Sequence, residues 1–378
     1  MTIIDRYIFK TATVAFLGTL LSLTGVIWIT QALREVDLLT GKGQSLMVFL
    51  TVTSLSIPAL VTIIAPVALF IATLYALNKL NGDSELIVMS AAGMAPGRLI
   101  RPFVALTALV MLLVAWMTLQ AMPASFRDLR DLVTKIRADL VTKIVKEGQF
   151  TTLDAGITFH YRERAGETLL GIFMQDKRDR DRTNIYIAER GQTVDISGAP
   201  YLVLENGSIQ REQPGNSDAA IVVFERYAID LSQFGTDGET VVYKPRERST
   251  AEILNLDKAD PYVQMQRGRF RAELHDRFSA PLYPLAMMAI AFAALGTART
   301  TRQGRGTAIA GAVIAVVLLR IAGFAVSSLV VRSGAAIALT YGVPLLGAAA
   351  GFGYTIAQSI ARRPRRRRAT HRLAAQPT

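Results

Sequence analysis

Asp83 and Glu85 stand in the stretch NGDSELIVMSAAGM, residues 81–94, just ahead of four consecutive apolar side chains. Little else in the chain could do chemistry. The three histidines, His160, His275 and His371, share no ligand spacing. There is no cysteine, which excludes disulfides, thiolate nucleophiles and Cys-based metal sites. No phosphate-loop, H-E-x-x-H or G-x-S-x-G motif occurs, and Gly41-Lys42-Gly43 reads as a turn. The chain is therefore read as a non-catalytic protein with no cofactor and no metal. What remains for residues 81–94 is recognition. Asp83 or Ser84 can cap a short helix, and Glu85 is favoured against its N-terminal dipole. Gly93 can end that helix after about nine residues, and Pro96 stops any continuation. Leu86, Ile87, Val88 and Met89 cover more than one face. Either the helix lies on its own protein or at the lipid interface, or it docks in a groove on a cytoplasmic partner, with Glu85 pairing to an arginine there.

The elements that position this segment are membrane spans. The chain has 378 residues, 51% hydrophobic and 19% charged, and a mean hydropathy of +0.31. Uncharged runs of spanning length cover 11–33, 43–78, 102–126, 278–298 and 333–361; a sixth, 306–331, is broken only by Arg320. The run 43–78 holds Pro58 and Pro66 and reads as one tilted or kinked helix. None of the six runs contains Asp or Glu, which argues against a proton-coupled secondary transporter. The first run is read as an uncleaved span with no signal peptide.

Residues 127–277 hold 23 basic and 25 acidic side chains, whereas the remainder of the chain holds 19 basic and 5 acidic. The net charge of +12 thus comes from the membrane part. Basic clusters at Arg6/Lys10, Lys79/Arg98/Arg101, Arg299/Arg302/Arg305 and Arg362 to Arg372 put both termini and the 79–101 and 299–305 loops in the cytoplasm. Residues 127–277 then lie on the far side of the membrane. The tail RRPRRRR (362–368) reads as an inner-leaflet anchor, since no folded nucleic-acid module accompanies it.

Four regions follow. Residues 1–126 carry three spans with the short helix at about 83–93, 127–277 form an inserted external domain, 278–361 carry three spans, and 362–378 form the tail. Within the insert, Leu129, Leu132, Val133, Ile136, Leu140 and Ile144 mark an amphipathic helix. Period-two segments at 158–164, 169–176, 183–190, 200–211 and 219–231 read as antiparallel strands. Asp154-Ala155-Gly156, Asn206-Gly207 and Pro214-Gly215-Asn216 read as turns, and 261–277 as a helix returning to the membrane. The fold class is an α-helical six-span bundle with an inserted all-β, sandwich or jelly-roll-like domain. Phe150, Phe159, Ile172, Ile185, Ile187, Leu202, Leu204, Val222 and Phe224 are its expected inward residues.

LNGDSELIVMSAAGMAP (80–96) resembles the coupling-helix signature of the LptF/LptG permeases, which export lipopolysaccharide from the inner membrane. DRYIFKT (5–11), EGQF (147–150), RAELHDRFSAPLYPLAMM (271–288) and RQGRG (302–306) resemble other family segments in order, EGQF and RQGR more on the LptF side. The resemblance implies an ABC exporter built from two such permeases and two copies of a cytoplasmic ATPase. It also implies a lateral cavity for lipopolysaccharide and a β-jelly-roll that hands the lipid to a periplasmic jelly-roll partner of the LptC/LptA type. Glu85 matches the acid that contacts the ATPase, with Leu86, Ile87 and Met89 beside it.

Two basic residues are candidate lipid contacts. Arg320, at membrane depth, meets either an anionic lipid group or backbone carbonyls or a partner permease. Arg34 lies at the height expected for lipid A phosphates, with Glu35 and Asp37 beside it. An open strand edge of the external sheet can add a strand from another β domain. The competing reading is a membrane-anchored periplasmic scaffold or interaction protein without transport.

Overall fold

The computed structural model describes residues 2–34, 46–94, 96–143, 147–154, 156–166, 168–178, 182–196, 199–212, 220–230, 243–297 and 304–361. These fall into two compact units, a helical one (Met1–Leu33, Thr53–Phe126, Pro245–Thr378) and one built around a sheet (Arg34–Val52, Arg127–Lys244).

Among the described residues, six helices are long and apolar enough to cross a membrane. They are assembled from α1 (Ile3–Arg34), α3 (Ile57–Gly82), α6 (Arg101–Trp116), α10 (Arg267–Ser279) continued by α11 (Tyr283–Leu295), α12 (Arg305–Arg332) and α13 (Ile337–Ala361). The run 43–78 is not one kinked helix. α2 (Leu46–Ser54) ends before Ser56, whose hydroxyl contacts both Gln31 Oε1 and the Thr53 carbonyl, and α3 starts afresh with Pro58 in its first turn. Pro66 is carried inside α3.

Two further boundaries differ from the sequence reading. α6 runs through a wide π-turn, Met117–Ala121, into α7 (Met122–Lys143), so no break in helix separates the third span from the amphipathic segment. The returning helix is split at Gln266 into α9 (Pro261–Met265) and α10, and residues from Pro245 onward cluster with the helices instead of the insert. The fourth span therefore begins at Arg267 and includes Glu273 and Asp276, while the first includes Asp5. These helices carry acids: Asp5 accepts from the Thr2 amide, Glu273 is held by Arg277 and Arg246, and Asp276 accepts from the Ser327 hydroxyl.

Close helix contact is made by small residues. Gly347 and Gly351 on α13 face Ala286 and Ala289 on α11, and a Cβ built on Gly351 would lie 2.6 Å from the Ala289 carbonyl carbon. Lipid tails supply no hydrophobic drive between helices, so such close backbone approach is what holds them together.

The insert is a six-stranded antiparallel sheet in chain order: β1 (Thr151–Asp154), β2 (Ile157–Ala165), β3 (Thr168–Asp176), β4 (Thr183–Ile196), β5 (Ala199–Glu212) and β6 (Ala220–Asp230). The expected all-β insertion in a helical membrane protein is what the chain forms, with the strands running as a meander. Asn206-Gly207 is not a turn; it lies inside β5, paired on both sides. Asn206 has φ +51° and Gly171 in β3 has φ +62°, both left-handed. Each shifts the alternation by one residue, so Leu169 and Ile172, and Leu204 and Ile209, are buried although an even repeat would separate them. The pairing sets Gly171, Glu189 and Asn206 side by side across the sheet. That line of offsets brings Phe159, Tyr161, Ile172 and Met174 into one cluster with Leu169, Leu202, Leu204 and Ile229.

Of the expected inward residues, Phe159, Ile172, Leu202 and Leu204 are buried, and Phe224 packs against them. Phe150, Ile187 and Val222 are exposed, because Phe150 precedes the sheet, Ile187 sits on the other side of the offset and Val222 is on the edge strand. Phe150 instead stacks on His160 at 4.4 Å.

Asn206→Val should cost the insert about 1–2 kcal/mol, the penalty for a β-branched residue held left-handed, whereas Asn206→Gly should be close to neutral. Thermal unfolding of the full chain in detergent, read by β-sheet circular dichroism, distinguishes the two.

Candidate functional site

The recognition helix forms as α4 (Glu85–Ala91), seven residues long and shorter than its sequence signals suggest. Ser84 occupies the N-cap position, yet neither it nor Asp83 caps the helix through its side chain as expected. Ser84 has φ +58°, and a side-chain cap needs an extended backbone to aim its oxygen at the first free amides. The Ser84 carbonyl instead accepts from Ile87 and Val88 amides at 3.1 Å each. At the other end Gly93 turns at φ +83°, and the Met94 amide closes on the Met89 carbonyl at 3.0 Å.

Of the four candidate docking residues, Leu86 is buried in the core of the helical bundle and Met89 packs against it. They anchor the helix. Ile87 is exposed, and Val88 is more so at 66%. Glu85 sits beside this apolar patch and accepts a hydrogen bond from the Tyr7 hydroxyl of α1 at 3.3 Å. The outward surface is therefore Ile87 and Val88, with half-buried Glu85 at its side. Val88 was visible in the sequence as part of the apolar run, but a run covering every face does not reveal which side is free. Just upstream, the buried Asn81 amide donates to the Leu77 carbonyl at 2.9 Å and the Leu295 carbonyl at 3.0 Å. That bond fastens the end of α3 to the end of α11 where α4 begins.

A second site lies elsewhere in the bundle. A cavity of about 200 Å³ opens between α3, the π-turn, α10 and α12. Five charged residues line it: Arg246, Glu273, Asp276, Arg277 and Arg320. Arg320 faces this cavity, with its guanidinium over the rings of Tyr283 at 4.9 Å and Phe324 at 5.0 Å. Among the described residues no backbone carbonyl accepts from it. Gly323 makes this seat possible, since a Cβ there would lie 2.1 Å from the Tyr283 hydroxyl.

Arg277 is the residue that sequence reasoning missed. Its side chain is 1% exposed. It donates to Glu273 Oε1 at 3.0 Å, Thr250 Oγ1 at 3.1 Å, the Pro245 carbonyl at 3.1 Å and the Arg248 carbonyl at 2.9 Å. Its own carbonyl accepts from Thr118 in the π-turn at 3.2 Å. Thus one guanidinium satisfies the non-helical segment that returns the chain to the bundle. The charged run RAELHDR holds four charged residues within seven, and nothing in it singles out which one is buried.

His275 Nδ1 lies 3.0 Å from the Tyr341 hydroxyl, joining α10 to α13. Arg34 is the exposed last residue of α1, where a cation complements the helix dipole. Glu35, Asp37, Gly41-Lys42-Gly43, Arg299, Arg302 and the basic tail lie outside the described residues.

Arg277→Ala should destabilise the helical unit by about 3–5 kcal/mol, since it leaves Glu273 and the loop carbonyls without their buried donor. Arg277→Lys should recover a minority of that, because an ammonium cannot reach acceptors spread around a planar fork. Thermal midpoints in detergent compare the three chains. A methyl at Gly323 should instead move Tyr283 and reshape the cavity, measurable as a changed tyrosine environment with little loss of stability.

The sequence profile of the family described as lipopolysaccharide export system permease LptF/LptG matches residues 6–358. An uncharacterised protein of Rickettsia prowazekii (strain Madrid E) is 26% identical over 297 residues, covering 78% of this chain and 81% of its own. The lipopolysaccharide export system permease protein LptF of Escherichia coli (strain K12) is 22% identical over 307 residues, covering 80% of each. With six spanning helices, an inserted antiparallel sheet and a profile match over nearly its whole length, the chain belongs to the LptF/LptG permease family.

Proposed function

We propose that this chain is a non-catalytic permease subunit of an ATP-driven ABC exporter that extracts lipopolysaccharide from the bacterial inner membrane and passes it to a periplasmic bridge. The family match supports the lipid-export role. The observation that carries the coupling is the exposed Ile87 and Val88, with half-buried Glu85 beside them, on a helix held from behind by Leu86 and Met89. A helix that is anchored on one face and apolar with one acid on the other suits a groove on a partner. We infer that partner to be a cytoplasmic ATPase dimer, with a second homologous permease of the LptG type completing the membrane part.

Orientation follows from charge. Lys79, Arg98, Arg101 and Arg305 flank α4 and the start of α12, so these ends and both termini are assigned to the cytoplasm. The sheet is then periplasmic. Its edge strand β6 carries Ile221, Val222 and Val223 exposed, which favours strand addition by a periplasmic jelly-roll partner of the LptC/LptA type. Arg34 and Arg320 are assigned to the anionic groups of the lipid.

Coupling requires that ATP-driven closure of the partner favour a membrane state that holds the lipid less well. The route available is mechanical. α4 begins four residues after Asn81, whose buried amide ties α3 to α11, so a push on α4 reaches two spans at once.

Glu85→Lys should weaken ATPase association about tenfold or more, equivalent to ~1.4 kcal/mol, while leaving the fold intact. Co-purification from nanodiscs with mass spectrometry of proteins and lipids tests this. Recovery of an ATPase, a second six-span permease and lipopolysaccharide, reduced by Glu85→Lys, is the expected result. Recovery with periplasmic proteins alone would favour a membrane-anchored scaffold.

A further inference from the structure

The cavity beneath Arg320 contains two charges of opposite sign that do not meet. Glu273 is accounted for, held by Arg277 at 3.0 Å and Arg246 at 3.5 Å. Arg320 rests on two aromatic rings, and among the described residues it makes neither a hydrogen bond nor an ion pair. Asp276 takes a hydrogen bond from the Ser327 hydroxyl, and among the described residues it too forms no ion pair. Both line the same cavity, on α10 and α12.

Two opposite charges in one partly desolvated pocket gain by pairing, and arginine side chains are long enough to search for a carboxylate. Here the guanidinium is seated on Tyr283 and Phe324 and the carboxylate is held by Ser327, and both residues line the one cavity. That is a receptor for a ligand carrying both signs. A simple anion on Arg320 would also face the Asp276 carboxylate, and a simple cation on Asp276 would face Arg320. A zwitterion answers both.

We propose that this cavity binds a zwitterionic aminoalkyl phosphate headgroup, with the phosphate on Arg320 and the primary ammonium on Asp276. The assignment rests on the reading of Arg320 as a lipid contact and deepens it, adding Asp276 as the selecting residue and Ser327 as its positioning residue. Size agrees: drug-sized ligands occupy pockets of roughly 300–1,000 Å³, so about 200 Å³ admits a headgroup but not a whole lipid. Ile63, Phe126 and Phe324 add apolar lining for the carbon skeleton that follows the phosphate. A quaternary ammonium has no N–H to give the carboxylate, so choline-type headgroups should be rejected. The same chemistry could arrive on a membrane lipid or on a soluble aminoalkyl phosphate.

The test uses the full chain in phosphatidylcholine nanodiscs carrying minor, equal fractions of phosphatidylethanolamine and phosphatidylglycerol, with retained lipid counted by native mass spectrometry. The unmutated chain should enrich phosphatidylethanolamine about tenfold over the other two, a ranking that depends on no variant. Asp276→Asn and Arg320→Gln should each abolish the enrichment, and Ser327→Ala should reduce it. Soluble O-phosphoethanolamine that displaces the lipid would show that the headgroup alone is the ligand, and a failure to displace would assign the site to the bilayer lipid. Preferential retention of phosphatidylglycerol by the unmutated chain would overturn the zwitterion assignment while leaving Arg320 as a contact for anionic lipid. Equal retention of every lipid, unchanged in Arg320→Gln, would overturn both.

Discussion

A buried guanidinium sets the terms for the helical unit. The chain must leave the bundle, build a sheet and come back, and its returning strand of backbone has no helix to satisfy its carbonyls. In hydrocarbon an unsatisfied carbonyl costs several kcal/mol, so non-helical backbone survives only where protein groups meet it. Arg277 meets the carbonyls of Pro245 and Arg248 and the hydroxyl of Thr250, while Glu273 balances its charge. The π-turn at Met117–Ala121 belongs to the same solution, because Thr118 reaches across to the Arg277 carbonyl. A regular α-helix in place of the π-turn would rotate Thr118 away from that acceptor. The irregular turn and the buried charge are therefore two halves of one joint.

This joint also shapes the cavity. Arg277 takes Glu273, while Asp276, just before it on α10, forms no ion pair among the described residues. Gly323 lets Tyr283 come close enough to α12 to lie beneath Arg320. The charges that remain available to a ligand are thus fixed by which charges the fold has already used. A reading from net composition could not separate the two classes, since every one of these residues counts the same in a charge sum.

The legible part of the sequence was whatever repeats. Long uncharged runs gave six spans, because a bilayer demands about 20 apolar residues whatever the packing. Period-two segments gave strands, and residues 80–96 gave the short helix. What escaped was set by contacts between distant positions. Gly171 and Asn206 offset the in–out alternation through left-handed backbone while the pairing register stays constant, and that conformation is not written in alternation. Glu273 and Asp276 join a span because α12 and the loop at 245–250 supply their partners, so counting acids in apolar runs placed the membrane helix too late. The GxxxG spacing of Gly347 and Gly351 was readable and marks the α11–α13 contact. Within the short helix, the outward face was decided by Leu86 falling into the core, which leaves Val88 outside.

The two candidate sites share a logic in which side chains held from behind present one unfilled valence outward. On α4, Leu86 is buried and Met89 packs against the core, which leaves Ile87 and Val88 outward. In the cavity, Tyr283, Phe324 and Ser327 hold Arg320 and Asp276 so that neither charge is spent on the other. A site preorganised in this way loses little side-chain entropy when its ligand arrives. It also means that a small helix displacement alters affinity sharply. α12 carries Arg320 and Ser327 and α10 carries Asp276, so any sliding of α12 past α10 changes the spacing between the two charges directly. A ligand that needs both charges at once is then released by a shift too small to break either helix.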